Sequence, residues 1–349
     1  MNFKQGTLQD WFYKKKEKSF PSQKDYVSKY KAFKEFLDRE VHPEIKPVMS
    51  REEPEMYLND HSEKHVAMVI EKATYLLSGL SDKNILTPYE AFILLAAIQI
   101  HDAGHIINAS RERHAIDTAK IIQELDKVST LERKLIFDIA KAHSGKKDLI
   151  GIQSQESIIS ETTVRFRLLA AILRFADELA DGKDRASNYL LEINQISEES
   201  IIYHTFSSCL DTFRVDTQKQ EVCMFFCVNK RQATTLYKKK KKDKITEKVI
   251  TEDTFLINEI YERTLKTFNE SLYYNRFVPE EIRINSINVE ICFLEPEKVE
   301  PFFESIKYRI EEIGYPQLPS SDIFDICSES LKKDGNKIDG EYIKNQIIL

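Results

Sequence analysis

Six of the eight histidines fall between His61 and His143, while the five cysteines (Cys209, Cys223, Cys227, Cys292 and Cys327) all lie downstream and form no CxxC pair. Imidazoles clustered without thiols, with aspartates among them, are the donor set of a nitrogen- and carboxylate-ligated divalent metal. The stretch AFILLAAIQIHDAGH, residues 91–105, is the sharpest case: an almost wholly apolar run closes on His101 and Asp102. A buried helix has no packing reason to end in an imidazole and a carboxylate. Either the helix surfaces there, or it holds those two groups at a site.

The elements that would position such groups are helical from about residue 22 to 188. HSEKHVAMVIEKATYLLSGL places Val66, Val69, Ile70, Ala73, Leu76 and Leu77 on one face, with His65 in the first turn and His61 one turn earlier. LTPYEAFILLAAIQI opens on Thr87 as N-cap, Pro88 in the first turn and Glu90 completing a capping box. His114 opens HAIDTAKIIQEL. STLERKLIFDIAKAH repeats the capping box with Ser129 and Glu132 and ends on His143. ETTVRFRLLAAILRFADELADG reads as one long apolar helix that carries Asp177 near its end and stops at Asp181-Gly182. Helix ends of this kind converge when the apolar stretches pack together.

Beyond about residue 189 the pattern changes. ESIIYHTF, EVCMFFCVNK and RINSINVEICFL read as strands, and EDTFLINEIYERTLKTFNESLYYNRF and EPEKVEPFFESIKYRIEEIG as helices. Together they predict a small α+β accessory domain over 189–315, with PQLPSSD leading into a weakly structured tail, 316–349. The lysine run Lys238–Lys242 reads as a solvated loop, or as a loop docking an anionic nucleotide or nucleic acid. Residues 1–50 form an N-terminal helical extension, in which DWFYKKKEKSF is either a docking arm or a frayed end. There is no internal repeat.

The chain has 349 residues, 42% hydrophobic and 31% charged, with 9 glycines and a formal charge of −6. Two globular, helix-rich domains fit that length and composition, and the charge argues against nucleic-acid binding by bulk electrostatics. No apolar run is long enough to span a bilayer and the N-terminus has no signal-like apolar stretch, so no membrane partner and a cytoplasmic location are expected.

The order His, His-Asp, His, His, Asp on consecutive helices resembles the HD-domain superfamily of metal-dependent phosphohydrolases. HVAMVIEKA is similar to that family's first-histidine helix, LLAAIQIHDAGH to its apolar helix ending in HD and glycine, and RLLAAILRFADELADGKDRA to its final aspartate helix with a short basic turn. The similarity covers roughly residues 57–188. It implies a mainly α fold, a helical HD bundle over 51–188 followed by the α+β domain.

The resemblance also implies that His65, His101, Asp102 and Asp177 bind a first metal. Asp102 would bridge to a second, completed by His114 and His143, with the ions about 3.5–4 Å apart. His61 competes for the place of His65, which the family spacing favours. His61 then lies behind the ligands or faces substrate, and His105 is left as a group behind the ligands, because the longer HDxGHPPFGH signature of the triphosphohydrolase branch is absent. Imidazoles with few carboxylates suit Mn, Fe, Ni or Zn better than Mg, with one or two ions per chain. Asp102, His114 and His143 would be catalytic. Arg111, Lys146 and Arg185, which follow ligand positions in short loops, are the first choices to clamp phosphate oxygens, with Arg113, Lys147 and Lys183 beside them.

The activity so implied is hydrolysis of a nucleotide, a nucleoside phosphate or dNTP-type substrate. The alternatives are a phosphodiesterase for a cyclic or short oligonucleotide and a nucleotide-sensing HD module without turnover. HDIGK…GYP and HDxxED sequences are lacking, which weakens the cyclic-di-GMP and stringent-nucleotide branches. The partners implied are the nucleotide, a short nucleic acid and a second copy of the chain.

Overall fold

The computed structural model describes residues 6–45, 63–78, 85–107, 114–126, 128–144, 149, 156–159, 162–183, 196–242, 249–312 and 322–348. Within them the chain is mainly α-helical, with short sheets. It divides into one unit drawn from Met1–Pro54, Asp60–Ala180 and Tyr273–Arg283 and another from Glu55–Asn59, Asp181–Leu272 and Ile284–Leu349.

The first unit contains helices α1 (Leu8–Tyr13), α2 (Tyr26–Phe36), α3 (Glu63–Leu77), α4 (Pro88–Ile100), α5 (His114–Ile121), α6 (Thr130–Lys141) and α7 (Phe166–Leu179). Every residue of α4 from Tyr89 to Ile100 is buried, as a helix apolar on all sides requires. Helices α1, α2, α3, α6 and α7 all pack against it. The expected long helix starts late: Thr162–Val164 (β2) pairs antiparallel with Ser157–Ile159 (β1), and α7 begins only at Phe166. The β-branched Thr-Thr-Val run prefers extended backbone, which the helical reading of ETTV overlooked.

The capping boxes at Thr87/Glu90 and Ser129/Glu132 form as predicted. Both glutamates also reach beyond their own helix. Glu90 takes a salt bridge from Arg165 at 2.7 Å, tying the start of α4 to the start of α7. Glu132 accepts from the hydroxyls of Tyr26, at 2.5 Å, and Tyr89, at 2.8 Å, joining α6 to α2 and α4.

The N-terminal segment is neither a docking arm nor a frayed end. Thr7 and Asp10 cap α1, and Leu8 and Phe12 are fully buried. Phe12 lies edge-on to Tyr30 at 5.5 Å and stacks near Phe92 of α4, and the Leu8 N–H donates to Thr74 Oγ1 at 2.9 Å. The lysines beside these apolar residues hid that core face in the sequence.

In the second unit, strands β3 (Leu210–Asp216), β4 (Glu221–Val228), β7 (Ser286–Phe293) and β8 (Phe303–Glu311) form a sheet in the order β3-β4-β7-β8. The central pair β4 and β7 is parallel. The connection a parallel pair demands runs through helix α9 (Lys230–Thr234), hairpin β5 (Leu236–Lys242) and β6 (Val249–Phe255), and helix α10 (Leu256–Asn275).

Four expectations are corrected here. ESIIYHTF lies in helix α8 (Glu198–Cys209), whose Ile202, Phe206 and Cys209 are buried at spacings of four and three that the shorter window cut off. The segment from Glu295, expected to be a helix, instead holds strand β8, where buried Ile306, Tyr308 and Ile310 alternate with exposed Lys307 and Arg309. The lysine run is strand β5, not a loop: Lys238 pairs with Glu198 at 2.6 Å, Lys239 with Glu259 at 2.6 Å and Lys241 with Glu252 at 3.1 Å. The tail is ordered over 322–348, with helices α11 (Ile323–Ile326), α12 (Ser328–Leu331) and α13 (Gly340–Ile348), and Ile338 O accepts from the Tyr261 hydroxyl at 2.9 Å. Among the described residues no helix is long and apolar enough to cross a membrane.

Removing the Glu132 carboxylate would take away the acceptor that two buried tyrosine hydroxyls share. Glu132→Ala is expected to cost about 2–4 kcal/mol in urea denaturation. Burial alone would raise the Glu132 pKa, but the Tyr26 hydroxyl, the Ser129 N–H and the Tyr89 hydroxyl bring it below its ordinary value. Its contribution is therefore complete above about pH 4.5 and lost as the pH falls through the depressed native value. A Glu132→Ala protein as stable as the parent at neutral pH would contradict this.

Candidate metal centre

Five of the six expected ligands sit at helix ends of the first unit or one or two residues beyond them, and Asp177 lies in the last turn of α7. His101 caps the C-terminus of α4, and its Nδ1–H donates back to Ile98 O at 2.8 Å. His143 follows the end of α6 and repeats the arrangement with Ala140 O at 2.5 Å. A carbonyl only accepts, so both rings carry their proton on Nδ1 and turn Nε2 inward. That is the tautomer a metal needs. His65 comes from the first turn of α3 and His114 opens α5.

These side chains form two donor sets that meet at Asp102. In the first, His65 Nε2 and His101 Nε2 are 3.3 Å apart and lie 3.6 and 3.3 Å from Asp102 Oδ2. Asp177 Oδ1 completes it, 3.0 Å from His65 Nε2 and 3.6 Å from His101 Nε2. In the second, His114 Nε2 and His143 Nε2 are 3.1 Å apart, each 3.4 Å from the other oxygen, Asp102 Oδ1. Donors bound at about 2.0–2.2 Å to one ion lie about 3.0–3.5 Å from each other, so both sets fit a divalent cation. The imidazoles and Asp102 have side chains at most 7% exposed, whereas the Asp177 side chain is 25% exposed.

The electrostatics agree with that fit. Burial would lower the His101 pKa, but Asp102 and Asp177 outweigh it and hold the ring well above its ordinary value. Burial would raise Asp177, yet hydrogen bonds from His101 and His65 keep it well below. The first donor set thus draws positive charge into a buried place, whether as a proton or as a cation.

Gly104 governs the approach of α5. A Cβ there would lie 1.9 Å from His114 O and 2.9 Å from Thr118 N, both backbone atoms. Thr118, fully buried, donates its hydroxyl toward Ile100 O at 3.3 Å and locks the same junction. His105 stacks on His114 with ring centroids 4.1 Å apart and planes 11° from parallel. The sequence marks this glycine as part of the HD-like signature without giving it a role, and nothing in the sequence singles out Thr118.

His61, Arg111, Arg113, Lys146, Lys147 and Arg185 lie outside the described residues. Lys183 is engaged by Asp211 in the second unit. His42 lies apart from the centre, its Nε2–H donating to Gln99 O at 3.1 Å.

Two outcomes follow. Gly104→Ala should push His114 from Asp102 and destabilise the first unit by about 1–3 kcal/mol; unchanged denaturation and undiminished retention of a divalent ion on dialysis would show that the turn yields freely. A cation taken up at His101 Nε2 must expel the proton held there, so binding should release protons and tighten as the pH rises through the elevated His101 value. Calorimetric titration in two buffers of different ionisation enthalpy measures this, and a pH-independent affinity would contradict it.

The HD-CE family model matches residues 53–232, more than half of the chain and inclusive of all six ligand candidates. No curated protein and no solved structure matches the sequence. With the His/Asp cluster in place and the family model spanning it, the chain belongs to the HD-CE family.

Proposed function

We propose that this chain is a metal-dependent phosphohydrolase that hydrolyses nucleotides at a two-ion centre bridged by Asp102. The observation that carries the reading is the division of one buried carboxylate: Asp102 turns Oδ2 to His65 and His101, and Oδ1 to His114 and His143. A carboxylate placed between two imidazole pairs is arranged to serve two cations at once.

His65, His101, Asp102 and Asp177 would hold one ion, and Asp102, His114 and His143 the other. When bound, such ions lower the pKa of a water and draw charge from a phosphoryl group in an in-line displacement. The protein's own residues do the remaining work. The carbonyls of Ile98 and Ala140 fix the His101 and His143 tautomers, and the helix ends keep the four imidazoles and Asp102 buried. With three donors rather than four, the second set leaves more positions for water and substrate oxygens. Arg111, Lys146 and Arg185 are the cations proposed to hold phosphate, and Mn, Fe, Ni or Zn the ions the donors suit best.

The nucleotide class rests on the resemblance of the HD motifs. The test is elemental analysis of untagged protein beside Asp102→Ala, with both screened for phosphate or nucleoside release from a nucleotide panel in added Mn. Near two equivalents of transition metal, with metal and turnover both lost in the variant, are expected. A parent protein with no bound metal and no Mn-dependent turnover would overturn the reading.

A further inference from the structure

The imidazoles of His101, His143 and His114 are not held alike. His101 and His143 are each fixed by a hydrogen bond from Nδ1 to a helix carbonyl, at 2.8 and 2.5 Å. The Nδ1 of His114 is buried without a hydrogen-bond partner among the described residues. Ligating histidines ordinarily donate that second nitrogen to a carbonyl or carboxylate, which sets the ring plane. His114 has a stacked ring in its place: His105, itself buried, lies 4.1 Å away and within 11° of parallel. The backbone is set by the same short turn, since Gly104 approaches His114 O closer than any side chain would permit.

We propose that His105 is the positioning residue for His114, its ring face standing in for the hydrogen bond His114 lacks, so that the Asp102/His114/His143 half of the centre is the weaker and separately lost half. The proposal rests on the two-ion reading above. His105 does not ligate. It holds the His114 plane so that Nε2 points at Asp102 Oδ1. The halves also differ in donor number, four for the first and three for the second, so the second ion enters later and leaves more easily.

The experiment is stepwise Mn(II) titration of the full chain, followed by electron paramagnetic resonance and elemental analysis, for the parent, His105→Ala and His105→Phe. In the parent, a tight first ion and a weaker second one are expected, with the spectrum of a magnetically coupled pair at saturation. His105→Ala should keep the first ion, weaken the second about 10–100-fold, and show an isolated-ion spectrum. His105→Phe, which preserves a flat ring against His114, should recover the coupled pair. Retention of the first ion in His105→Ala reports that the unit is folded. Loss of both ions in His105→Ala, undiminished binding of both, or failure of His105→Phe to restore the second would each overturn the assignment. A parent protein that never binds a second ion would instead sink the two-ion reading itself.

Discussion

The arrangement of the first unit turns on Asp102, a carboxylate with almost no access to water that must satisfy four imidazoles from four different helices. A group of that kind is expensive to bury alone and stable only with its partners in place. The fold supplies it with the most rigid support available, the end of a helix buried on every side. Helix α4 has no polar face with which to slip or rotate, so His101 and Asp102 inherit its position. The other helices then bring a single polar group each to that fixed end.

Two kinds of polar contact separate the packing from the centre. At the N-terminal ends of α4 and α6, Glu90 and Glu132 satisfy backbone donors and simultaneously bind Arg165, Tyr26 and Tyr89. At the C-terminal ends, His101 and His143 return a proton to a carbonyl three residues back. The helices are thus tied at one end by carboxylates and at the other by imidazoles. The imidazole end is the one whose Nε2 atoms face one another and Asp102, and so the one able to take a cation.

Much of this was legible in the sequence because it depends on local signals. Thr87-Pro88-Glu90 and Ser129-Glu132 announce helix starts, and the change from apolar run to His101-Asp102 announces a polar destination. The order of His65, His114, His143 and Asp177 and their resemblance to a family pattern imply that they converge, and the structure brings the three histidines to Asp102 and Asp177 to His65 and His101. The role of Gly104 depends on where α5 lands, which no local pattern states. In the second unit, the lysines of β5 looked like a loop because their carboxylate partners, Glu198, Glu259 and Glu252, are distant in sequence or across a hairpin. Strand β8 was misread because charged residues at alternate positions also satisfy a helical count over a short window, and the burial of Ile306, Tyr308 and Ile310 decides between them.

The helix that carries Asp177 has one further support whose place in the chain matters. Phe175 stacks on Tyr274 with ring centroids 4.8 Å apart, and the segment Tyr273–Arg283 belongs to the first unit although it follows the second unit's strands β3 to β6. A nascent chain that has just exposed Asp177 still lacks that surface. At about 5–20 residues per second, synthesis needs on the order of ten seconds to deliver Tyr274. During that interval an apolar face of α7 waits for a partner not yet made, and the unit that carries the His/Asp cluster is completed only after much of the second unit has emerged from the ribosome.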